Sequence, residues 1–154
     1  MNDALDSAVP FILSFKKGYN NILPEYSWGI SEDGRTITLT ATSDFIVKAQ
    51  VWTSENNRNR DWRLIRCASG PTCANPLAYW TPRDLDEIAP GVYTHTLQEP
   101  KAGHYSAFFL EIHYELQAGF HVMPVTTDVS IIPQSLPYAP CPPEVCDCQW
   151  NCAQ

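Results

Sequence analysis

The chain has 154 residues with 44% hydrophobic, 12% aromatic and 18% charged side chains, which is enough for one well-buried domain and too little for two of ordinary size. A formal charge of −7 and a pI near 4.9 exclude a phosphate backbone or an anionic membrane surface as partner, since both need clustered Lys and Arg. No apolar run approaches the ~20 residues that span a bilayer, so no membrane span is expected.

Leu5, Ala8, Val9, Ile12, Phe15 and Tyr19 recur at steps of three and four and predict an amphipathic N-terminal helix over residues 1–22, with Pro10 bending it or marking its start. Such a helix ahead of a β pattern either packs against the sandwich or is the last helix of an upstream domain, and the second reading is adopted. From Pro24 to Trp28 the β region opens. Glu32-Asp33-Gly34-Arg35 is a turn, and Arg35 to Thr42 alternates Ile37, Leu39 and Ala41 against four threonines, a strand with one wet face. Phe45 to Thr53 repeats the pattern, with Val47, Ala49 and Val51 expected inward and Lys48 and Gln50 outward. Trp52 shares the outward parity.

Asn56 to Arg60 is polar and leads into a short strand from Asp61 to Arg66, with Trp62 and Leu64 on one side. Thr81-Pro82-Arg83-Asp84 carries a capping hydroxyl, a proline at the first helical position and an acid three residues after the cap, so a short helical turn is expected there. After the Pro90-Gly91 turn, Val92 to Gln98 forms a strand with Tyr93, His95 and Leu97 on one face. The densest apolar surface follows: His104 to Leu116 and His121 to Pro133 read as paired antiparallel strands. Phe108, Leu110, Ile112, Tyr114 and Leu116 share one face of the first, and Met123, Val125, Thr127, Val129 and Ile131 one face of the second. Glu111, His113, Glu115, Thr126, Asp128 and Ser130 are assigned to water. The whole is a mainly β, antiparallel sandwich over residues 23–137, followed by a separate Cys-rich tail over 138–154.

Six cysteines in a chain of this size indicate an oxidising compartment, whereas the acidic, Pro-interrupted N-terminus is not a secretory signal. The expectation is a secreted, extracellular protein whose leader lies upstream of this chain. Cys67 and Cys73 flank a Gly-Pro turn that suits a local disulfide. Cys141, Cys146, Cys148 and Cys152 are spaced C-x4-C-x-C-x3-C, a poor match to structural zinc, and are read as further disulfide partners.

No nucleophile elbow occurs, and His95, His104, His113 and His121 each stand singly in or beside strands, so no catalytic residue is assigned. Glu111, Glu115 and Asp128 could converge across the hairpin, but without a calcium-loop spacing they read as a solvated face, and no metal or cofactor is assigned. Trp52 and Trp80, with Trp28, are candidates for a glycan platform, since indole joins a flat apolar face to a polar edge. Trp62 reads as core.

At NRNRDWRL, PKAGHYSAFFLEIHYE and VTTDVSIIP the chain resembles the C-terminal region of the PhoPQ-activated pathogenicity-related family, which includes autocrine proliferation repressors. The match falls on Arg60, Asp61, Trp62 and Arg63, and on Pro100, Gly103, Ala107, Phe108, Phe109 and Glu111, with His104 at the first aromatic position and Tyr105 beside it. Shorter matches extend it over most of residues 5–137. The resemblance implies an α/β-hydrolase-like domain upstream of Met1 as intramolecular partner, and an immunoglobulin-like or fibronectin-like sandwich here. It implies a non-catalytic accessory role for this chain, serving stability or contact with an extracellular protein or glycan. Arg60, Asp61 and Arg63 are candidate contact residues. The reading favoured over contact is structural, with Asp61 pairing with an arginine while an arginine fork bridges to loop carbonyls.

Overall fold

The computed structural model describes residues 25–41, 44–56, 79–117 and 120–135, together with Ala8, Val9, Phe11, Ile12, Phe15, Arg60 and Trp62; at 116, 117, 120 and 121 it describes the backbone alone. Among the described residues eight strands run in order: β1 Tyr26–Ile30, β2 Thr36–Ala41, β3 Ile46–Asn56, β4 Thr81–Asp84, β5 Val92–Thr96, β6 Tyr105–Gln117, β7 Phe120–Thr126 and β8 Ser130–Ile132. They form two antiparallel sheets, one ordered β1-β2-β5 and the other β4-β3-β6-β7, with β8 on β6.

Alternation decides which faces meet. Ile37, Leu39 and Ala41 of β2 and Tyr93 of β5 pack in one cluster with Ala49 and Val51 of β3 and Phe108, Leu110 and Ile112 of β6. Burial of each large apolar side chain contributes about 1.5–3 kcal/mol, so this shared core holds the sheets face to face in a sandwich-like arrangement. On the opposite face of β2, the threonines form a hydroxyl ladder with β5: Thr36 to Thr96 at 2.8 Å and Thr38 to Thr94 at 3.1 Å. Two turns depend on glycine. Gly34 and Gly91 both have φ of 72°, where a Cβ would be strained. At Gly91 a Cβ would also lie 2.0 Å from the Ala41 carbonyl oxygen. The Gly34 turn is shaped by the Asp33 carboxylate, which accepts from the Ser31 hydroxyl and the Arg35 amide; these two bonds hold its pKa below the usual aspartate value.

Four details depart from the alternation read in the sequence. In β3 the register against β6 slips between Ile46 and Lys48. Val47 is thus an extra residue turned to solvent at 54% exposure, and Ile46 packs on the core instead; a β-bulge inverts facing beyond it. Gln50, expected in water, is buried because edge strand β4 lies beside it and its amide donates to Asp84 Oδ1 at 2.9 Å. Residues 81–84 are that edge strand, not a helical turn: the ladder to Gln50–Thr53 wins over the capping signature. Pro82 is tolerated because the Leu85 amide bonds to the Ala49 carbonyl, which puts the position-82 amide site on the side facing away from β3.

The fourth departure is a second bulge. Thr126 pairs with Glu111 and Ser130 with Phe108, so one residue is inserted between them, and the faces exchange. Val129 is 49% exposed, while Ser130 and Ile132 are buried where Val129 and Ile131 were expected inward. Thr127 holds the bulge together: its amide donates to the Leu110 carbonyl, and its hydroxyl accepts from the Leu110 amide at 3.0 Å while donating to the Asp128 carbonyl. The Ser130 hydroxyl donates to the Gly34 carbonyl at 2.6 Å and so ties β8 to the β1–β2 turn.

Of the expected N-terminal helix, Ala8, Val9, Phe11 and Ile12 have helical backbone and the Phe15 amide reaches the Ile12 carbonyl at 3.3 Å; its remainder lies outside the described residues. So do the strand from Asp61 to Arg66, Asp61 and Arg63 themselves, the tail, and Cys67, Cys73, Cys141, Cys146, Cys148 and Cys152.

Candidate functional site

Strand parity carries Trp52 of β3 and Phe109 of β6 to the outer face of the five-stranded sheet, directly opposite each other in register. Their rings stack at 6.2 Å with 10° between planes, and Trp80, just ahead of β4, leans on Phe109 at 5.1 Å. The Trp52 indole N–H donates to Glu111 Oε1 at 3.0 Å, and His113 Nε2 donates to the same oxygen at 2.8 Å. Beside them Asp84 accepts from Gln50 and lies 3.7 Å from Lys48 Nζ. Two of the tryptophans singled out in the sequence are therefore brought together. Both are half-buried, with one face of the Trp52 ring on Phe109 and its N–H engaged.

Trp28 is placed elsewhere, on edge strand β1. It stacks on Tyr26 at 5.7 Å with 16° between planes, and each residue is 38% exposed. Arg60 donates to the Gln134 carbonyl at 3.2 Å. Trp62 is half-buried, and its indole N–H is buried with no hydrogen-bond partner among the described residues.

Glu111 faces Thr126 across the hairpin and Glu115 faces Val122, so Asp128 stands opposite neither, and the convergence of three carboxylates considered from the sequence does not form. Among the described residues no group of three His, Cys, Asp or Glu side chains is placed to hold a metal. His104 Nδ1 donates to Glu55 at 2.5 Å. Among the described residues no helix is long and apolar enough to cross a membrane.

A second site was not read from the sequence. Where β4 and β5 leave the sandwich open, a cleft of about 650 Å³ is lined by Thr53, Glu55, Thr81, Arg83, His95, Thr96, Leu97, Gln98, Glu99, Pro100, Lys101 and Ser106. His95 closes its inner end, with its ring edge-on to Phe108 at 5.9 Å. Arg83 Nη2 donates to His95 Nδ1 at 3.2 Å, which fixes the neutral ring with its proton on Nε2. Burial, and then the charge of Arg83, push the His95 pKa below its ordinary value. The parity of Val92 to Gln98 already put His95 on the Tyr93 face; reading residues 81–84 as helical hid its partner, since only a strand at that edge aims Arg83 between the sheets.

No protein-family model matches the chain, and no solved structure matches it. Among curated proteins, autocrine proliferation repressor protein A of Dictyostelium discoideum is 35% identical over 134 residues, covering 79% of this chain and 27% of that protein. The chain thus spans about a quarter of the length of this relative.

Proposed function

We propose that this chain is the non-catalytic accessory β-sandwich, of immunoglobulin-like or fibronectin-like type, of a secreted protein related to the autocrine proliferation repressors and the PhoPQ-activated pathogenicity-related family. In the parent protein it follows an α/β-hydrolase-like domain and serves stability or partner contact. The observation that carries this reading is the extent of the similarity: most of this chain aligns, to about a quarter of a much longer relative. The N-terminal residues support it. Val9, Phe11, Ile12 and Phe15 are 42%, 52%, 66% and 69% exposed, a set of large apolar side chains suited to burial against a neighbouring domain.

The test is expression of the parent protein with and without this domain. Hydrolysis of ester substrates per folded molecule should persist after deletion while the yield of folded protein falls. Ester turnover by this chain by itself, abolished by His95→Ala, His104→Ala or His113→Ala, would overturn the non-catalytic reading.

A second reading, glycan binding, draws on the exposed Tyr26–Trp28 stack, a flat apolar surface of the kind that sugar rings cover. On a glycan array, saturable binding lost in Trp28→Ala favours it. Binding lost in Trp52→Ala or Trp80→Ala would instead assign the outer-face cluster.

A further inference from the structure

The two sheets are unequal in width. Since β7 and β8 share one edge of β6, the larger sheet is, among the described residues, four strands wide against three. His95 of β5 touches Phe108 of β6 and Arg83 of β4, while Ser130 of β8 reaches the turn after β1. The smaller sheet therefore stops short on the β4 side, and the cleft occupies the place a fourth strand would take beside β5.

The edge that borders this place is open. The Leu97 amide donates to the Arg35 carbonyl and the Ala41 amide to the Gly91 carbonyl. In an antiparallel ladder this fixes Tyr93 and His95 as hydrogen-bonded to β2 and turns the amides and carbonyls of Thr94 and Thr96 outward. Among the described residues no other strand pairs with them. On β4, by contrast, the outward amide site at position 82 belongs to a proline, so that edge is blunted.

Charge selects the occupant. Of the two carboxylates that line the cleft, Glu99 lies 3.8 Å from Arg35, and Glu55 accepts a hydrogen bond from His104, an ion pair only when that ring is protonated. Arg83 and Lys101 have no carboxylate partner among the described residues, and Arg83 keeps further guanidinium donors beyond the one given to His95. In a chain of net charge −7 the cleft thus holds, beside Glu55 and Glu99, two cations with no carboxylate partner among the described residues.

We propose that an extended, carboxylate-bearing peptide segment of a partner protein adds to β5 as a fourth strand. Its backbone pairs with Thr94 and Thr96, and an acidic side chain on its inner face accepts from Arg83, with Lys101 at the mouth. Backbone pairing supplies affinity and the alternating inward side chains supply selectivity. This deepens the partner-contact role proposed above. Failure of a peptide to bind here leaves that role to its own test in the parent protein.

The experiment titrates the chain with an alternating Glu-Val peptide and a Lys-Val counterpart, following amide exchange at Thr94 and Thr96 by NMR. The Glu-Val peptide should bind, slow exchange at both amides and weaken as salt rises. Arg83→Gln should weaken binding at least about tenfold, a loss of about 1.4 kcal/mol. Thr96→Pro, which removes an outward amide and the hydroxyl contact with Thr36 while leaving the backbone bonds to β2, should abolish protection with the fold retained by circular dichroism. Preference for Lys-Val, binding unaffected by Thr96→Pro, or equal occupancy by free acetate would each overturn the proposal.

Discussion

Thr127→Val tests whether the second bulge is held by one hydroxyl. Thr127 is 6% exposed, and its Oγ1 is the acceptor that the Leu110 amide uses at 3.0 Å, in place of a carbonyl that the inserted residue displaces. Valine keeps the shape but leaves a buried N–H without a partner, which costs about 1–3 kcal/mol. The hydroxyl's own bond to the Asp128 carbonyl matters less, because Asp128 is exposed and its carbonyl can turn to water. At about 2–4 °C per kcal/mol for a chain of this size, a loss near 2 kcal/mol lowers Tm by roughly 4–8 °C. Thermal and urea denaturation of the wild type, Thr127→Val and Thr127→Ser measures it. Serine keeps the acceptor and should recover most of the loss. If valine stayed within about 0.5 kcal/mol of wild type, or serine fell as far as valine, the hydroxyl would not be what closes the ladder.

Gly91→Ala should destabilise by roughly 2–5 kcal/mol, combining a left-handed backbone at a residue with a side chain and a Cβ 2.0 Å from the Ala41 oxygen; Gly29→Ala, with nothing within 4 Å, is the control and should be nearly neutral in the same urea series. His95 has a folded pKa below the ordinary 6.5, so below that pH the unfolded chain takes up a proton that the folded chain resists. Its contribution is therefore present above 6.5 and lost as pH falls toward the folded value. His95→Gln should flatten the stability-versus-pH curve between about pH 7 and 5, read from urea midpoints at each pH. Trp52→Phe keeps a ring on Phe109 but removes the N–H bonded to Glu111, which should cost about 0.5–1.5 kcal/mol by urea denaturation.

How far the fold was legible depended on whether alternation ran unbroken. In β2 and β6 it did, and Ile37, Leu39, Phe108, Leu110 and Ile112 are buried as read. It failed at Val47 and at Val129 and Ile131, because one inserted residue exchanges the faces on its two sides: Val47 turns out and Ile46 in, while Ala49 and Val51 stay inward as read, and no residue type at Val47 or Asp128 announces an insertion. Thr81 to Asp84 failed for another reason: a cap signature describes local preference, and the long-range ladder to β3 overrode it. Of the candidate residues, Trp52 and Trp80 do meet, but through Phe109, whose outward parity could be read though its role as their common support could not. The Arg83–His95 pair joins two sheets across twelve residues of chain, a proximity fixed by tertiary packing alone.

The unequal width of the sheets gives the two ends of the smaller sheet different characters. At β1 the inner-parity side chains are Tyr26, Trp28 and Ile30, each 38% exposed, so that end offers aromatic and aliphatic surface. At β5 the corresponding space is lined by threonines, by Glu55 and Glu99, and by Arg83 and Lys101, which have no carboxylate partners among the described residues, so that end offers backbone donors and two cationic groups. An open edge ordinarily risks pairing between copies, but two chains of charge −7 repel each other, and Pro82 removes the neighbouring edge as a second template. What remains is an edge at which a second copy meets net repulsion, while Arg83 offers a local partner to a strand carrying carboxylates. That combination is what the strand addition proposed above requires of this edge.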